Sequence, residues 1–259
     1  EIEVEKVISN MKIIGLVNVQ LAYVNNNVFI LEVNPRASRT IPFVSKALGI
    51  PLARVAAKVM AGKSLKDLKF QNVPNLEGFF VKEAVMPFNK FQNVDPILGP
   101  EMRSTGEVMG IGNSFAEAFE KAEVGAGVEI PKEGSVFISV RDTDKQFLSE
   151  IVPSLVEEDF KLIATKGTAS VIKNMGFKVS QIKKVIEGRP NIVDLMKNKE
   201  VNLVINTTEG RESILDSASI RRTALDEKIC CTTTIKGAKA ICEVITKKVD
   251  WSYRKLQDI

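Results

Sequence analysis

Glu32, Asn34 and Gln20 are the first side chains in this sequence whose types and spacing suggest a chemical site. Glu32 and Asn34 are two positions apart in a strand-like run, so their side chains project from one face of a strand. Carboxylate and amide oxygens are the ligands that Mg²⁺ prefers, and phosphates and waters commonly complete its shell. Arg36 and Arg39 follow the strand, where guanidinium groups can hold phosphate oxygens. The pattern predicts a site for a metal ion and a phosphate.

Whether Gln20 joins this site depends on the hairpin that precedes it. The run Asn25–Asn27 separates two predicted strands, and a three-residue loop there places Gln20 directly opposite Glu32. A two-residue loop would instead place Gln20 opposite Leu31 or Val33. The alternative interpretation of the whole set is a solvated edge hairpin followed by unrelated arginines.

Two loops in the second half of the sequence carry hydroxyl and amide side chains where a strand gives way to a helix. Their polar residues are Thr165, Thr168, Asn206, Thr207 and Thr208. Hydroxyls and backbone N–H groups in that position can cradle a phosphate. Both loops should open on one edge of the sheet, although ordinary helix capping by Thr and Gly is an equal alternative.

The spacing of apolar residues predicts the elements that position these groups. Short apolar runs at residues 136–140, 161–164, 201–205 and 228–231 alternate with helical segments and indicate a parallel α/β domain. Upstream, the pattern predicts helices at residues 41–48 and 52–61, a strand at 78–86, and a helix from Ser114 to about Val124. A Pro/Gly-punctuated stretch covers residues 95–100, and Gly125-Ala126-Gly127 marks the best domain boundary.

Composition narrows the classes of function. The 259 residues are 44% hydrophobic and 26% charged, with a net charge of +4 and no dense basic block, so nucleic-acid binding is not indicated. No apolar run is long enough to span a membrane. The three cysteines lack metal-site spacing, and the absence of histidine excludes Ser-His and Cys-His nucleophile pairs. The first residue, Glu1, is not a Met, and we expect sequence upstream of it.

Several motifs resemble one enzyme family. Glu32-Val33-Asn34-Pro35-Arg36 is similar to the closing signature of ATP-grasp enzymes, and the run continuing to Lys46 resembles the large subunit of carbamoyl phosphate synthetases. Residues 60–65 and 98–110 continue the resemblance, which persists to the C-terminus.

The resemblance implies a fold class, a domain order and an activity. The fold is α/β: residues 1–62 would be the C-terminal end of an ATP-grasp domain, and 63–126 the remaining elements of a synthetase half. Residues 127–259 would be a Rossmann-like, methylglyoxal-synthase-like allosteric domain with a parallel sheet. The family's second half uses ATP to phosphorylate carbamate to carbamoyl phosphate, in a glutamine-dependent enzyme of pyrimidine and arginine biosynthesis.

The resemblance also implies roles for individual residues. Gln20 and Glu32 would contact ATP and Mg²⁺ or Mn²⁺, Asn34 would share the metal, and Arg36 and Arg39 would be catalytic. The residues implied for an allosteric nucleotide, UMP or IMP, are Lys145, Thr165, Thr168, Lys184, Asn206, Thr207 and Thr208, with Ser139 as an addition. Lys145 and Lys184 have an alternative interpretation as solvated lysines.

One departure from the family concerns ornithine. Relatives that ornithine activates have Tyr-Asp-Thr where this chain has Cys231-Thr232-Thr233, although Glu83 is retained at the matching upstream position. Loss of the phenol and the carboxylate would remove partners for a cationic ligand, so we expect weak or absent activation by ornithine.

The implied partners are a small glutaminase subunit and the nucleotide effectors, in a cytoplasmic oligomer of heterodimers without nucleic acid or membrane. We expect the isolated chain not to turn over ATP, because the ATP-grasp segment that would hold adenine is missing. The alternatives are a nucleotide-binding regulatory module, another ATP-grasp ligase such as a biotin-dependent carboxylase, and a methylglyoxal synthase. The last uses a histidine, which this chain lacks.

Overall fold

The computed structural model describes residues 2–70, 75–88, 96 and 102–253. Contacts between Cα atoms divide the chain into two units: the first runs to Glu77 and includes Tyr253, and the second covers Gly78–Ser252. This division coincides with neither of the boundaries predicted after residues 62 and 126, which remain predictions about domains. Apart from Pro96, the Pro/Gly-punctuated stretch at residues 95–100 lies outside the described residues.

The first unit consists of helices and a two-stranded antiparallel hairpin. Its elements are α1 (Ile2–Met11), β1 (Asn18–Val24), β2 (Asn27–Asn34), α2 (Thr40–Leu48) and α3 (Leu52–Met60). Gly49 ends α2 with a φ of 66°, a left-handed conformation that glycine adopts without steric cost. The two helices predicted from the sequence are therefore confirmed.

The loop of the β1–β2 hairpin contains two residues, so the shorter of the two loops that the sequence allowed is present. Asn25 and Asn26 have φ angles of 50° and 61°, as the two central residues of a type I′ turn require. Gln20 nevertheless lies opposite Glu32, because a register shift between Gln20 and Leu21 leaves Leu31 as an extra residue in β2. The predicted pairing is thus correct for a different reason: a β-bulge compensates for the shorter loop.

The second unit begins with another antiparallel hairpin, on which a helix packs closely. Strands β3 (Phe79–Val85) and β4 (Gly106–Gly112) pair, and α4 (Phe115–Ala126) lies against both. A Cβ at Gly110 would lie 1.9 Å from the carbonyl oxygen of Ala118, so only glycine lets α4 approach β4 this closely. Ser114 caps α4 by accepting a hydrogen bond from the Glu117 N–H at 3.2 Å, as predicted.

A five-stranded parallel sheet forms the rest of the second unit. The strands are β5 (Ser135–Ser139), β6 (Lys161–Thr165), β7 (Ser180–Ile182), β8 (Leu203–Asn206) and β9 (Cys230–Thr232), in the order β7-β6-β5-β8-β9. The helices are α5 (Leu148–Glu157), α6 (Lys166–Asn174), α7 (Ile192–Lys197), α8 (Arg211–Asp216), α9 (Ala218–Asp226) and α10 (Ile235–Lys247). The four predicted apolar runs correspond to β5, β6, β8 and β9.

Alternating side chains of the central strands build a core on each face of the sheet. In β5, Val136 and Ile138 belong to a cluster with α5, α6 and α10, whereas Phe137 belongs to a second cluster with α7 and α9. All four residues of β8 are buried. Strands covered on both faces read as continuous apolar runs, which is why the sequence revealed them.

Within the described ranges, none of the helices combines the length and apolar character needed to cross a membrane.

Candidate functional site

A cavity of about 400 Å³ lies in the second unit where the central strands end. The chain builds one side of the sheet from β5 to β7 and then crosses to the other side with β8 and β9. Ligands of open α/β sheets bind beyond the carboxyl ends of strands at such a switch point. The residues expected to bind a phosphorylated ligand all line this cavity: Ser139, Lys145, Thr165, Thr168, Lys184, Asn206, Thr207 and Thr208.

Two buried threonines are fixed in the cavity wall by the chain that follows β5. Thr168 Oγ1 accepts a hydrogen bond from the Val140 N–H at 3.2 Å, and Thr207 Oγ1 accepts one from the Arg141 N–H at 3.1 Å. Because both hydroxyl oxygens already act as acceptors, their O–H groups can donate to an oxygen of a ligand. The arrangement favours an anionic or oxygen-rich ligand.

The N-terminus of α6 opens into the same cavity. Thr165 is the residue before the helix, and its side chain makes no capping hydrogen bond, although its hydroxyl lies 3.2 Å from that of Ser139. The first N–H groups of a helix lack partners within the helix and carry partial positive charge. A phosphate placed there would satisfy these donors.

Asn206 supplies a donor that the protein leaves without a partner. It is 1% exposed at the end of β8 and lines the cavity, and its Nδ2 atom makes no hydrogen bond to described residues. Leaving a buried amide unpaired is costly, and such groups are rare in folded proteins. An acceptor atom of a bound ligand is the natural partner for Nδ2.

Cationic side chains complete the wall, and one of them already holds a carboxylate. Lys145 Nζ lies 2.6 Å from Asp142 Oδ1. This hydrogen bond, and the charges of Lys145 and Lys184, lower the pKa of Asp142. A Cβ at Gly167 would lie 3.3 Å from Lys145 Nζ, so the ammonium group rests against the first turn of α6.

Sequence reasoning missed three charged residues of this cavity, namely Arg141, Asp142 and Glu209. Arg141 Nε donates to the buried Asp144 at 2.9 Å, and its Nη1 lies 3.9 Å from Glu209 Oε2. The available signal was position: Arg141 and Asp142 follow the predicted end of β5, as Thr165 follows that of β6.

The residues predicted to bind metal and ATP surround a shallow depression in the first unit. It has a volume of about 410 Å³ and is lined by Asn18, Gln20, Glu32, Asn34, Arg36, Ser38, Arg39 and Thr40. Gln20 Nε2 donates to Glu32 Oε1 at 3.2 Å, and Asn34 Nδ2 donates to the same oxygen. The structure thus brings the predicted set together on the exposed end of the hairpin.

This set of donors fits one hard cation. Glu32 supplies the negative charge, and the amide oxygens of Gln20 and Asn34 are of the type that magnesium and manganese accept. The described part of the chain has no group of three or more His, Cys, Asp or Glu residues that could hold a metal ion. Phosphate oxygens would therefore be needed to complete a coordination shell here.

The half-buried carboxyl group of Glu83 marks the position implied for ornithine. Burial raises its pKa, and burial together with the charge of Glu83 raises the pKa of Glu123 in α4 to about 7.

Burial also raises the pKa of the thiols of Cys231 and Cys242 to about 12, and all three cysteines are free. These thiols are poor nucleophiles at neutral pH.

Comparisons with protein families match both parts of the chain. Residues 2–68 match the model of the carbamoyl-phosphate synthase L chain, ATP binding domain, and residues 148–233 match that of the MGS-like domain. The first match contains the depression around Glu32, and the second contains most of the residues that line the cavity.

Similar proteins extend over nearly the whole chain. It is 55% identical over 257 residues to the carbamoyl phosphate synthase large chain of Pseudomonas aeruginosa, covering 99% of this chain and 24% of that protein. The corresponding protein of Pseudomonas syringae pv. tomato is 54% identical, with the same coverage. The chain thus spans about a quarter of the length of these relatives. A solved methylglyoxal synthase from Elizabethkingia anophelis is 16% identical to this chain. The match covers 44% of this chain and 79% of the chain in that structure, with a TM-score of 0.37, a likeness too weak to support an argument.

Proposed function

We propose, from the premise that the chain belongs to the carbamoyl phosphate synthase large-chain family, that it is the C-terminal part of a glutamine-dependent enzyme. That enzyme uses ATP to phosphorylate carbamate to carbamoyl phosphate. The second unit of this chain binds a nucleotide that regulates the reaction. The observation that carries the nucleotide part is the cavity, where Lys145, Asn206 and the first turn of α6 converge.

The first unit supports phosphoryl transfer without a protein nucleophile. Glu32, Gln20 and Asn34 would hold Mg²⁺ or Mn²⁺ against the phosphates of ATP, and Arg36 and Arg39 would neutralise the charge of the transferred group. When bound, the metal supplies charge neutralisation between phosphate oxygens. Positioning and electrostatics account for most of the catalysis of this reaction class, so the lack of histidine is no obstacle.

The depression in the first unit is exposed, whereas the cavity of the second unit has buried walls. The role of the 259-residue chain by itself is therefore nucleotide binding, and turnover of ATP would need the rest of the enzyme. Synthesis of ATP from ADP and carbamoyl phosphate by the isolated chain would contradict this part of the proposal. Another ATP-grasp ligase is disfavoured because an MGS-like domain is attached.

UMP and IMP are the proposed regulators, acting by favouring different states of the synthetase half. Ornithine is not expected to activate strongly, because Cys231, Thr232 and Thr233 stand where responsive relatives have Tyr-Asp-Thr. The proposed partner is a small glutaminase subunit, within a cytoplasmic oligomer of heterodimers that serves pyrimidine and arginine biosynthesis.

Titration calorimetry of the chain with UMP, IMP and Mg-ATP tests the nucleotide site. We expect at least one monophosphate to bind saturably, and the Gly167→Ala variant to bind it roughly three- to tenfold more weakly, because the new methyl group displaces the Lys145 ammonium. The lysine end is flexible, so folding should survive. Gly106→Ala is the matched control, since a Cβ there meets no atom within 4 Å. If neither monophosphate binds saturably, the nucleotide part of the proposal is wrong.

A further inference from the structure

Asp142 forms an ion pair with Lys145, a cation in the cavity wall that would otherwise be available to a ligand. The two residues are three positions apart in a 3₁₀ turn, Asp142–Phe147, that follows β5. The side chain of Asp142 is 93% exposed and that of Lys145 is 27% exposed. The carboxylate therefore reaches the ammonium group from the solvent side, while the lysine lies against the cavity wall.

The exposed aspartate differs from its neighbour Asp144 in what holds it. Asp144 is buried and accepts a hydrogen bond from Arg141 Nε at 2.9 Å, so it belongs to the frame of the loop. Among the contacts of described residues, Asp142 is held only by the charge and the hydrogen bond of Lys145, with a weaker attraction to Lys184. Asp142 can therefore leave its partner by rotating into water without disturbing the fold.

The ammonium group that Asp142 pairs with is also one that an anion in the cavity would use. Lys145 Nζ is next to Gly167, in the first turn of α6, where the helix N–H groups favour negative charge. The buried and unpartnered Asn206 Nδ2 lines the same cavity. An oxyanion of a ligand and the carboxylate of Asp142 would thus compete for one ammonium group.

We propose that Asp142 is an internal competitor of the ligand's phosphate group: it neutralises Lys145 in the empty cavity and must be displaced when a phosphorylated ligand binds. This inference deepens the proposed nucleotide site and rests on it. The competition lowers the affinity for anions and leaves the affinity for an uncharged nucleoside unchanged. Because Asp142 lowers the affinity, a higher concentration of the phosphorylated ligand is needed to fill the cavity.

The test is titration calorimetry of the full chain and of the Asp142→Asn variant with UMP, IMP and inorganic phosphate, and with uridine and inosine. Exposed ion pairs are weak, so the variant should bind the monophosphates about two- to fivefold more tightly. Inorganic phosphate should gain by the same factor, and the nucleosides should gain nothing. The advantage should shrink as salt is added.

Asp226→Asn is the matched control, because it also removes one negative charge from an exposed aspartate paired with a cation, Arg222 at 2.8 Å. Equal tightening in both variants, or tightening of the nucleosides as well, overturns the inference. Unchanged affinity in Asp142→Asn, when the unmodified chain binds UMP or IMP, overturns it too and leaves the nucleotide site intact. If no variant binds any probe, the nucleotide site itself is refuted, and the inference with it.

Discussion

Glu117 is a buried carboxylate of α4 that fastens the last described residues of the second unit. It is 2% exposed. One of its oxygens accepts hydrogen bonds from Lys121 Nζ at 2.7 Å and from the N–H and Oγ of Ser252 at 2.8 and 2.6 Å, and the other accepts one from the Asn113 N–H at 2.8 Å. Burial alone would raise the pKa of Glu117, but these donors outweigh it and lower the pKa to about 2.

We expect the Glu117→Gln variant to lower the free energy of unfolding at pH 7 by about 2–3 kcal/mol, because the charge that these donors stabilise is lost. The folded pKa lies below that of the unfolded chain. The contribution is therefore complete above about pH 4.5 and disappears as the pH falls toward about 2. Urea unfolding at pH 7 and at pH 3 measures both effects, and the variant should differ less from the unmodified chain at the lower pH.

The control for this variant is Glu107→Gln. Glu107 pairs with Lys82 at 3.3 Å, but both side chains are about a third exposed, and such pairs contribute little. An equal loss of stability in the two variants would show that the hydrogen bonds to Glu117 stabilise the fold no more than an exposed ion pair does.

The sequence predicted the positions of site residues that directly follow a strand. It did not predict contacts that depend on the direction of a long side chain. Thr165 and Asn206 could be placed because they come directly after buried apolar runs. Lys145 and Lys184 came only from family resemblance, because the direction of a long side chain is set by its packing and not by local spacing. The pairing of Asp142 with Lys145 depends on the 3₁₀ turn between them, which the sequence does not mark.

At the scale of elements, the sequence predicted long or buried elements better than short or exposed ones. Strand β7 is three residues long and includes two exposed polar residues, so it carries no apolar pattern. In β4, glycines replace apolar residues because α4 packs directly on the backbone there. In β2, the bulge at Leu31 could not be inferred, because either loop length fits the three asparagines.

The Asn26→Val variant tests the two-residue loop. A β-branched residue is strained at a φ of 61°, and the hydrogen bond from Tyr23 Oη to Asn26 Oδ1 would be lost. We expect the hairpin to lose about 1–2 kcal/mol, seen as roughly five- to thirtyfold faster amide hydrogen exchange in β1 and β2. Asn27→Val is the control: Asn27 is the first residue of β2, where valine is favoured. A larger effect at Asn27 would restore the three-residue loop.

At the scale of the whole molecule, α4 connects the β3–β4 pair to the parallel-sheet part of the second unit. Ala116, Ala118 and Ala122 are fully buried, and α4 packs on the β3–β4 hairpin and on α10. The boundary predicted after residue 126 would separate α4 from α10. The sequence suggested it because Gly125-Ala126-Gly127 precedes a new pattern of strands and helices. Gly127 ends α4, and a glycine of this kind does not show which elements share a core.

A fragment of residues 78–252 should therefore fold cooperatively and bind UMP or IMP within about twofold of the full chain's affinity, because it retains the cavity and all its described supports. A fragment of residues 127–252 lacks α4, so the apolar face of α10 becomes exposed and the carboxylates that hold Trp251 and Ser252 are lost. We expect this shorter fragment to be less stable by about 3 kcal/mol or more, or to aggregate. Thermal unfolding and calorimetry of both fragments make the comparison. Equal stability and affinity would support the boundary predicted after residue 126, and would mean that α4 covers the sheet domain without stabilising it.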